Sequence, residues 1–175
     1  RQVILLKPDY GAVHNNLGNL LQEQGKLDEA VASYQQALTL MPTFARGYHH
    51  LAVMLYAQNK PDAAIDNYQK SIALEPNYES YYNLGIIFQE QDKFDEAAEC
   101  FQQTVALKAD FAQGYHNLGT VLQKQKKLDA AIENYQKALA LNPDQSIYGN
   151  LGNAFYESAN QAKNQENFDV AIQYF

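Results

Sequence analysis

A leucine followed by a small residue returns through the chain at nearly fixed intervals: Leu17-Gly18, Leu51-Ala52, Leu84-Gly85, Leu118-Gly119 and Leu151-Gly152. The steps are 34, 33, 34 and 33 residues. Thirteen residues after each of the first four leucines stands an alanine (Ala30, Ala64, Ala97, Ala131), and four further an aromatic (Tyr34, Tyr68, Phe101, Tyr135). Ala37, Ser71, Thr104 and Ala138 follow, then Pro42, Pro76, Ala109 and Pro143. Self-similarity at this period marks units that bury their apolar faces only against their neighbours.

Each unit contains two helical stripes. Tyr115, Leu118, Gly119 and Leu122 stand three, four and seven apart, one face of a 3.6-residue helix. Leu128, Ala131, Ile132, Tyr135, Ala138 and Leu139 make a second stripe. Small residues at Gly119 and Ala131 let the two backbones approach, with Tyr115 and Tyr135 filling the space beside them. Between the stripes lie short polar turns. Gly25 suits the left-handed conformation that ends a helix, Asn59 and Asp92 tolerate it, and Lys126 fits worse. Asp28, Asp62, Asp95 and Asp129 suit the start of the second helix, where negative charge meets the dipole. The expectation is helix–turn–helix throughout.

These residues resemble the tetratricopeptide-repeat family over nearly the whole chain. The resemblance implies an all-α fold, a right-handed superhelical solenoid of antiparallel helix pairs whose first helices line a concave peptide groove. The chain departs from the family pattern in lacking tryptophan; its slot holds His14, Tyr48, Tyr81, Tyr115 and Tyr148. The expected organisation is one array. Residues 1–10 form the tail of a preceding repeat, and whole repeats cover 11–44, 45–77, 78–111 and 112–144. An incomplete repeat with a seven-residue insertion covers 145–175.

The ends are read as half-units. Pro8 takes the terminal proline slot, and Phe168, Asp169, Ala171 and Phe175 match the turn, alanine and aromatic of a fifth unit. Val3, Ile4, Leu6, Ile172 and Phe175 would then be partly bare, and head-to-tail self-association is expected. Phe155 to Ala171 is sixteen residues where Leu122 to Ala131 takes nine. Seven residues turn a helix by about 700°, close to two full turns. With no Gly or Pro in "YESANQAKNQEN", a longer first helix is preferred to a loop.

One polar slot recurs in the first helices: Asn16, His50, Asn83, Asn117 and Asn150. Asparagine is a mediocre helix former, so its return at one slot asks for a reason. Its amide offers one acceptor and two donors, enough to pair with the backbone of an extended peptide. The row resembles the asparagine ladder in the repeat arm of protein O-linked N-acetylglucosamine transferases. Hydrogen bonding within the array is the alternative. Around the row stand Asn15, Asn19, Arg46, His49, Tyr82, His116 and Asn153, giving a polar, nearly neutral groove with aromatic anchors. Relatives that grip carboxyl termini use lysines and an arginine where Asn15, Glu79 and Asn83 stand, so a carboxylate clamp is not expected.

Composition narrows the functions further. Apolar residues make up 46% of the 175, enough for a core. A formal charge of −7 opposes binding to a phosphate backbone, so no nucleic-acid partner is expected. No membrane partner is expected either, since no apolar run approaches a spanning length. One cysteine, Cys100, excludes an internal disulfide and reads as an inert thiol. His49, His50 and His116 lack a carboxylate at ligand spacing, and no phosphate loop or nucleophile elbow is present, so no metal, cofactor or catalytic residue is expected. The expected function is a non-catalytic scaffold holding another protein or peptide in its groove. Two alternatives are a substrate-presenting arm of a larger enzyme such as a glycosyltransferase, and an end-to-end assembly module.

Overall fold

A computed structural model describes residues 10–173, with side chains described from 10 to 163. The expectations for Val3, Ile4, Leu6 and Pro8, and for the side chains of Phe168, Asp169, Ala171, Ile172 and Phe175, lie outside the described residues.

Among the described residues the fold is all-α, with nine helices and no strand. They are α1 (Gly11–Glu23), α2 (Leu27–Leu40), α3 (Ala45–Ala57), α4 (Pro61–Leu74), α5 (Tyr78–Glu90), α6 (Phe94–Leu107), α7 (Ala112–Lys124), α8 (Leu128–Leu141) and α9 (Gln145–Gln173). Contacts group the chain into two compact units, Arg1–Ile87 and Phe88–Phe175. In the first, α1 pairs with α2 and α3 with α4, while α2 also packs on α3. In the second, α7 pairs with α8, and α6 and α9 flank that hairpin.

The repeated small residues explain the pairing. Ala30, Ala64, Ala97 and Ala131 are fully buried, and so are Tyr34, Phe101 and Tyr135; Tyr68 is buried almost as completely. A Cβ placed on Gly18 would lie 2.5 Å from the Tyr34 ring, and one on Gly119 would lie 2.8 Å from the Tyr135 ring. Glycine therefore creates the seat that the aromatic of the next helix fills. Losing such a ring would cost about 3–5 kcal/mol.

All four turns close in one way. Gly25, Asn59, Asp92 and Lys126 have φ of 70°, 58°, 56° and 61°. The next N–H then reaches back five residues, as from Lys26 to the Leu21 carbonyl and from Lys127 to the Leu122 carbonyl, both at 2.9 Å. Lys126 adopts the left-handed conformation despite its Cβ.

The aspartates Asp28, Asp62, Asp95 and Asp129 stand in the first turns as expected, and two of them have a further part. A lysine (Lys26, Lys60, Lys93, Lys127) precedes each second helix, and none of these helices has a side-chain cap. Asp28 and Asp95 sit in the first turn, and each accepts a hydrogen bond at 2.7 Å from a glutamine of the following hairpin, Gln58 and Gln125. They tie one hairpin to the next. True side-chain caps appear after prolines instead: Asn77 and Asp144 accept from the backbone N–H of Ser80 and Ser146, each at 2.8 Å.

The turn expected before Phe168 is not formed. The backbone of α9 is helical without interruption from Gln145 to Gln173, through the whole inserted segment. Good helix formers and the lack of Gly or Pro are the physical reason.

Candidate functional site

Six of the twelve residues expected to line a groove meet in one cleft of the first unit, of about 540 Å³. Asn15, Asn16 and Asn19 come from α1, and Arg46, His49 and His50 from α3. Arg46, His49 and His50 stand at i, i+3 and i+4, so one helix face carries all three. Glu75, Asn77 and Glu79 close the far side, and Ala12, Phe44 and Ala45 supply apolar wall. The sequence reading missed Glu75 and Asn77. The proline-asparagine pair at 76–77 was an available signal, because it places a cap and a chain reversal beside the groove.

Hydrogen bonds fix both imidazoles. Nδ1 of His50 lies 3.2 Å from the Asn15 side-chain oxygen, and Asn15 is 5% exposed. An amide oxygen only accepts, so Nδ1 carries the proton and Nε2 holds a lone pair. Nδ1 of His49 lies 2.8 Å from the Ser80 hydroxyl, which itself donates to the Ser71 hydroxyl at 3.1 Å. The Ser80 oxygen therefore accepts from His49, which takes the same tautomer. Ser71 and Ser80 are fully buried. Ser80 fills a slot held by Gly47 and Gly114 elsewhere, a substitution that could have revealed this buried polar chain from sequence.

Burial, with His49 and Arg46 nearby, pushes His50 down to about 4. Burial also lowers His49, opposed by Glu79 and assisted by Arg46. Both rings are held neutral near pH 7. The α1 asparagines are oriented in a similar way: the Tyr34 hydroxyl shares its proton between the side-chain oxygens of Asn19 at 2.8 Å and Gln22 at 3.0 Å, and His50 donates to that of Asn15. Each amide nitrogen is left as the donor still unengaged.

The recurring slot is not a row of bare amides. Asn83 bonds to the buried Tyr68 hydroxyl. Asn150 donates to Nε2 of His116 at 2.8 Å. Asn16 is exposed, and Asn117 is half-buried. Asn150 and Asn153 line a separate cleft of about 320 Å³ in the second unit, beside Gln123, Lys126 and Glu157. Glu157 there accepts from Gln123 at 2.7 Å and from Lys126 at 2.8 Å. Tyr82, Asn83, His116 and Asn117 line neither cleft. His50 and Asn150, bonded inward, couple hairpins as well as lining a cleft, whereas Asn83 is bonded inward without lining either.

Other chemistry finds little support. Cys100 is buried, and burial followed by Glu99 and Glu96 pushes its thiol up to about 12. Among the described residues, no group of three His, Cys, Asp or Glu is placed to hold a metal. No described helix is long and apolar enough to cross a membrane.

Comparison with known proteins places the fold. One tetratricopeptide-repeat profile matches residues 112–145, and another matches 9–77 and 43–110. The structure is similar to that of YrrB, described as a TPR protein with an unusual peptide-binding site. The TM-score is 0.84 at 22% identity over 98% of this chain and 90% of that one. It is also similar to MamA, with a TM-score of 0.80 at 24% identity over 95% and 92% of the two chains. PilF of Pseudomonas aeruginosa gives 0.73 at 24% over 95% and 77%. Identities this low show the fold alone. No curated protein matches the chain in sequence. The helix–turn–helix geometry, the glycine–aromatic seats and profile matches over more than half of the residues lead to one conclusion: the chain belongs to the tetratricopeptide-repeat family.

Proposed function

We propose that this protein is an interaction scaffold whose first-unit cleft holds an extended segment of another protein. The observation that carries the reading is the convergence of Asn16, Asn19, Arg46, His49 and His50 on one open cleft. Packing does not account for Asn16 and Arg46, which are exposed. YrrB, similar in fold, is described as having a peptide-binding site, which agrees with this use of the surface. Several polar contacts of about 1 kcal/mol each would supply the affinity.

Replacing Asn16 and Arg46 together by alanine tests the reading. Both are surface residues, so thermal stability should hold while capture of a partner segment falls by about ten-fold or more. Capture unchanged by the double substitution would remove the cleft from the mechanism. Asn83 is a poorer choice, because its bond to Tyr68 makes alanine there a stability change as well.

A second reading is association through α9. Tyr148, Phe155 and Tyr156 are 58%, 49% and 71% exposed. Gly152 occupies the slot of Gly18 and Gly119, yet a Cβ there would meet nothing within 4 Å. Exposed aromatics of this size favour contact with another surface. Sedimentation of Phe155→Asp/Tyr156→Asp checks it: a mass identical to that of the parent at every concentration rejects association through this face.

A further inference from the structure

We infer that the first-unit cleft selects an uncharged main-chain amide, its N–H on the Nε2 lone pairs of His49 and His50 and its carbonyl on the side-chain amides of Asn15 and Asn19. The inference rests on the peptide-binding reading above and names the chemistry that the cleft recognises.

The hydrogen-bond directions already described produce two unlike walls. On α3, both imidazoles spend their proton inward, His50 on Asn15 and His49 on Ser80, so each offers the cleft an acceptor. On α1, the Asn15 oxygen accepts from His50 and the Asn19 oxygen shares the Tyr34 proton with Gln22, so each amide turns its nitrogen, a donor, to the cleft. A secondary amide carries one donor and one acceptor and satisfies both walls; a carboxylate meets two lone pairs, and an ammonium finds no use for the amide donors.

Charge at the rim points the same way. Arg46 lies one helical turn from the histidines and opposes a cation, while Glu75 and Glu79 across the cleft oppose an anion. A neutral group meets neither repulsion. The tautomers are fixed by partners from three elements, Asn15 on α1, Ser71 on α4 and Ser80 on α5, so the lone pairs are set before any ligand arrives.

The test uses random dodecapeptides displayed on phage and selected at neutral pH on the immobilised full chain. Retained sequences are remade with one backbone nitrogen methylated at a time. Methylation at one or two positions should weaken binding by about ten-fold, the loss expected for one hydrogen bond removed. That penalty should shrink in His49→Tyr, which installs the residue present at the matching position of the next repeat, Tyr82. His50→Asn, matching Asn83, is the second variant should the first fail to fold. Histidine ¹⁵N shifts give an independent readout: a ligand N–H on Nε2 competes with protonation and lowers both pKa values further. Peptides that tolerate methylation everywhere, or that raise the histidine pKa values, overturn the inference while peptide binding stands. If no peptide is retained better by the parent than by Asn16→Ala/Arg46→Ala, the peptide-binding reading falls with it.

Discussion

His50 donates from Nδ1 to the Asn15 side-chain oxygen at 3.2 Å, and the same two repeat slots are filled in reverse by His116 and Asn150, which meet at 2.8 Å. In both cases a residue two before the repeated leucine reaches a residue one before the next repeated leucine. The pairing is thus a rung between neighbouring first helices, indifferent to which side supplies the imidazole.

The rung predicts a compensated exchange. Asn15→Leu should lower stability by about 1–2 kcal/mol, because a buried imidazole N–H is left unpaired. Asn15→His/His50→Asn, which copies the His116–Asn150 order, should recover most of that loss. Thermal melts of the singles and the double measure the coupling, and strict additivity would show that the two side chains do not act together.

Acid should loosen the first unit. Imidazole titrates near 6.5 when unperturbed, and His50 in the folded chain near 4. The unfolded state therefore binds the extra proton between these values, so stability is fully present above about 6.5 and declines as pH falls toward 4. Discounted for partial exposure, the loss amounts to about 1–2 kcal/mol. Melting temperatures at neutral pH and near pH 4.5 should differ more for the parent than for His50→Asn.

Three glycines at one repeat slot should respond oppositely to alanine. Gly18→Ala and Gly119→Ala push a methyl into Tyr34 and Tyr135 and should cost about 1–3 kcal/mol. Gly152 faces open space, so Gly152→Ala should stabilise α9 by up to about 1 kcal/mol through helix propensity. Denaturant midpoints of the three variants check the contrast.

Lys126 should improve on becoming glycine. Its φ of 61° strains an L-residue by about 1–2 kcal/mol, while its ion pair with Glu157 is largely exposed and contributes little. Lys126→Gly is expected to raise the melting temperature. A fall of similar size would mean that Glu157 holds α9 more firmly than an exposed pair should.

The hairpins were legible because their signals are local. Gly25 at a helix end, Ala131 against Gly119, and the aromatic four residues later each declare their role within one repeat period. The wiring between hairpins was not, since it depends on groups brought together from about thirty positions apart. Asp28 read as a dipole partner and stands in the first turn, and the arriving Gln58 also makes it a tie between hairpins. Asn15 read as a groove residue, and it lines the cleft while lying almost wholly buried under His50. Ser71 stood only as one member of a repeat slot and Ser80 carried no reading, although together they fix the His49 tautomer. The unbroken α9 departs from the repeat register at Phe168 because local helix propensity competes there with a repeat pattern that other units satisfy by packing.

The central claim is that the first-unit cleft is where a partner segment lies. The most direct measurement is an amide and histidine NMR map of the full chain, titrated with the tightest peptide from the phage selection. The account predicts saturable shifts concentrated on Asn16, Asn19, Arg46, His49, His50 and Glu79. Shifts centred instead on α2, α4 or α9, with those six residues unmoved, would contradict it.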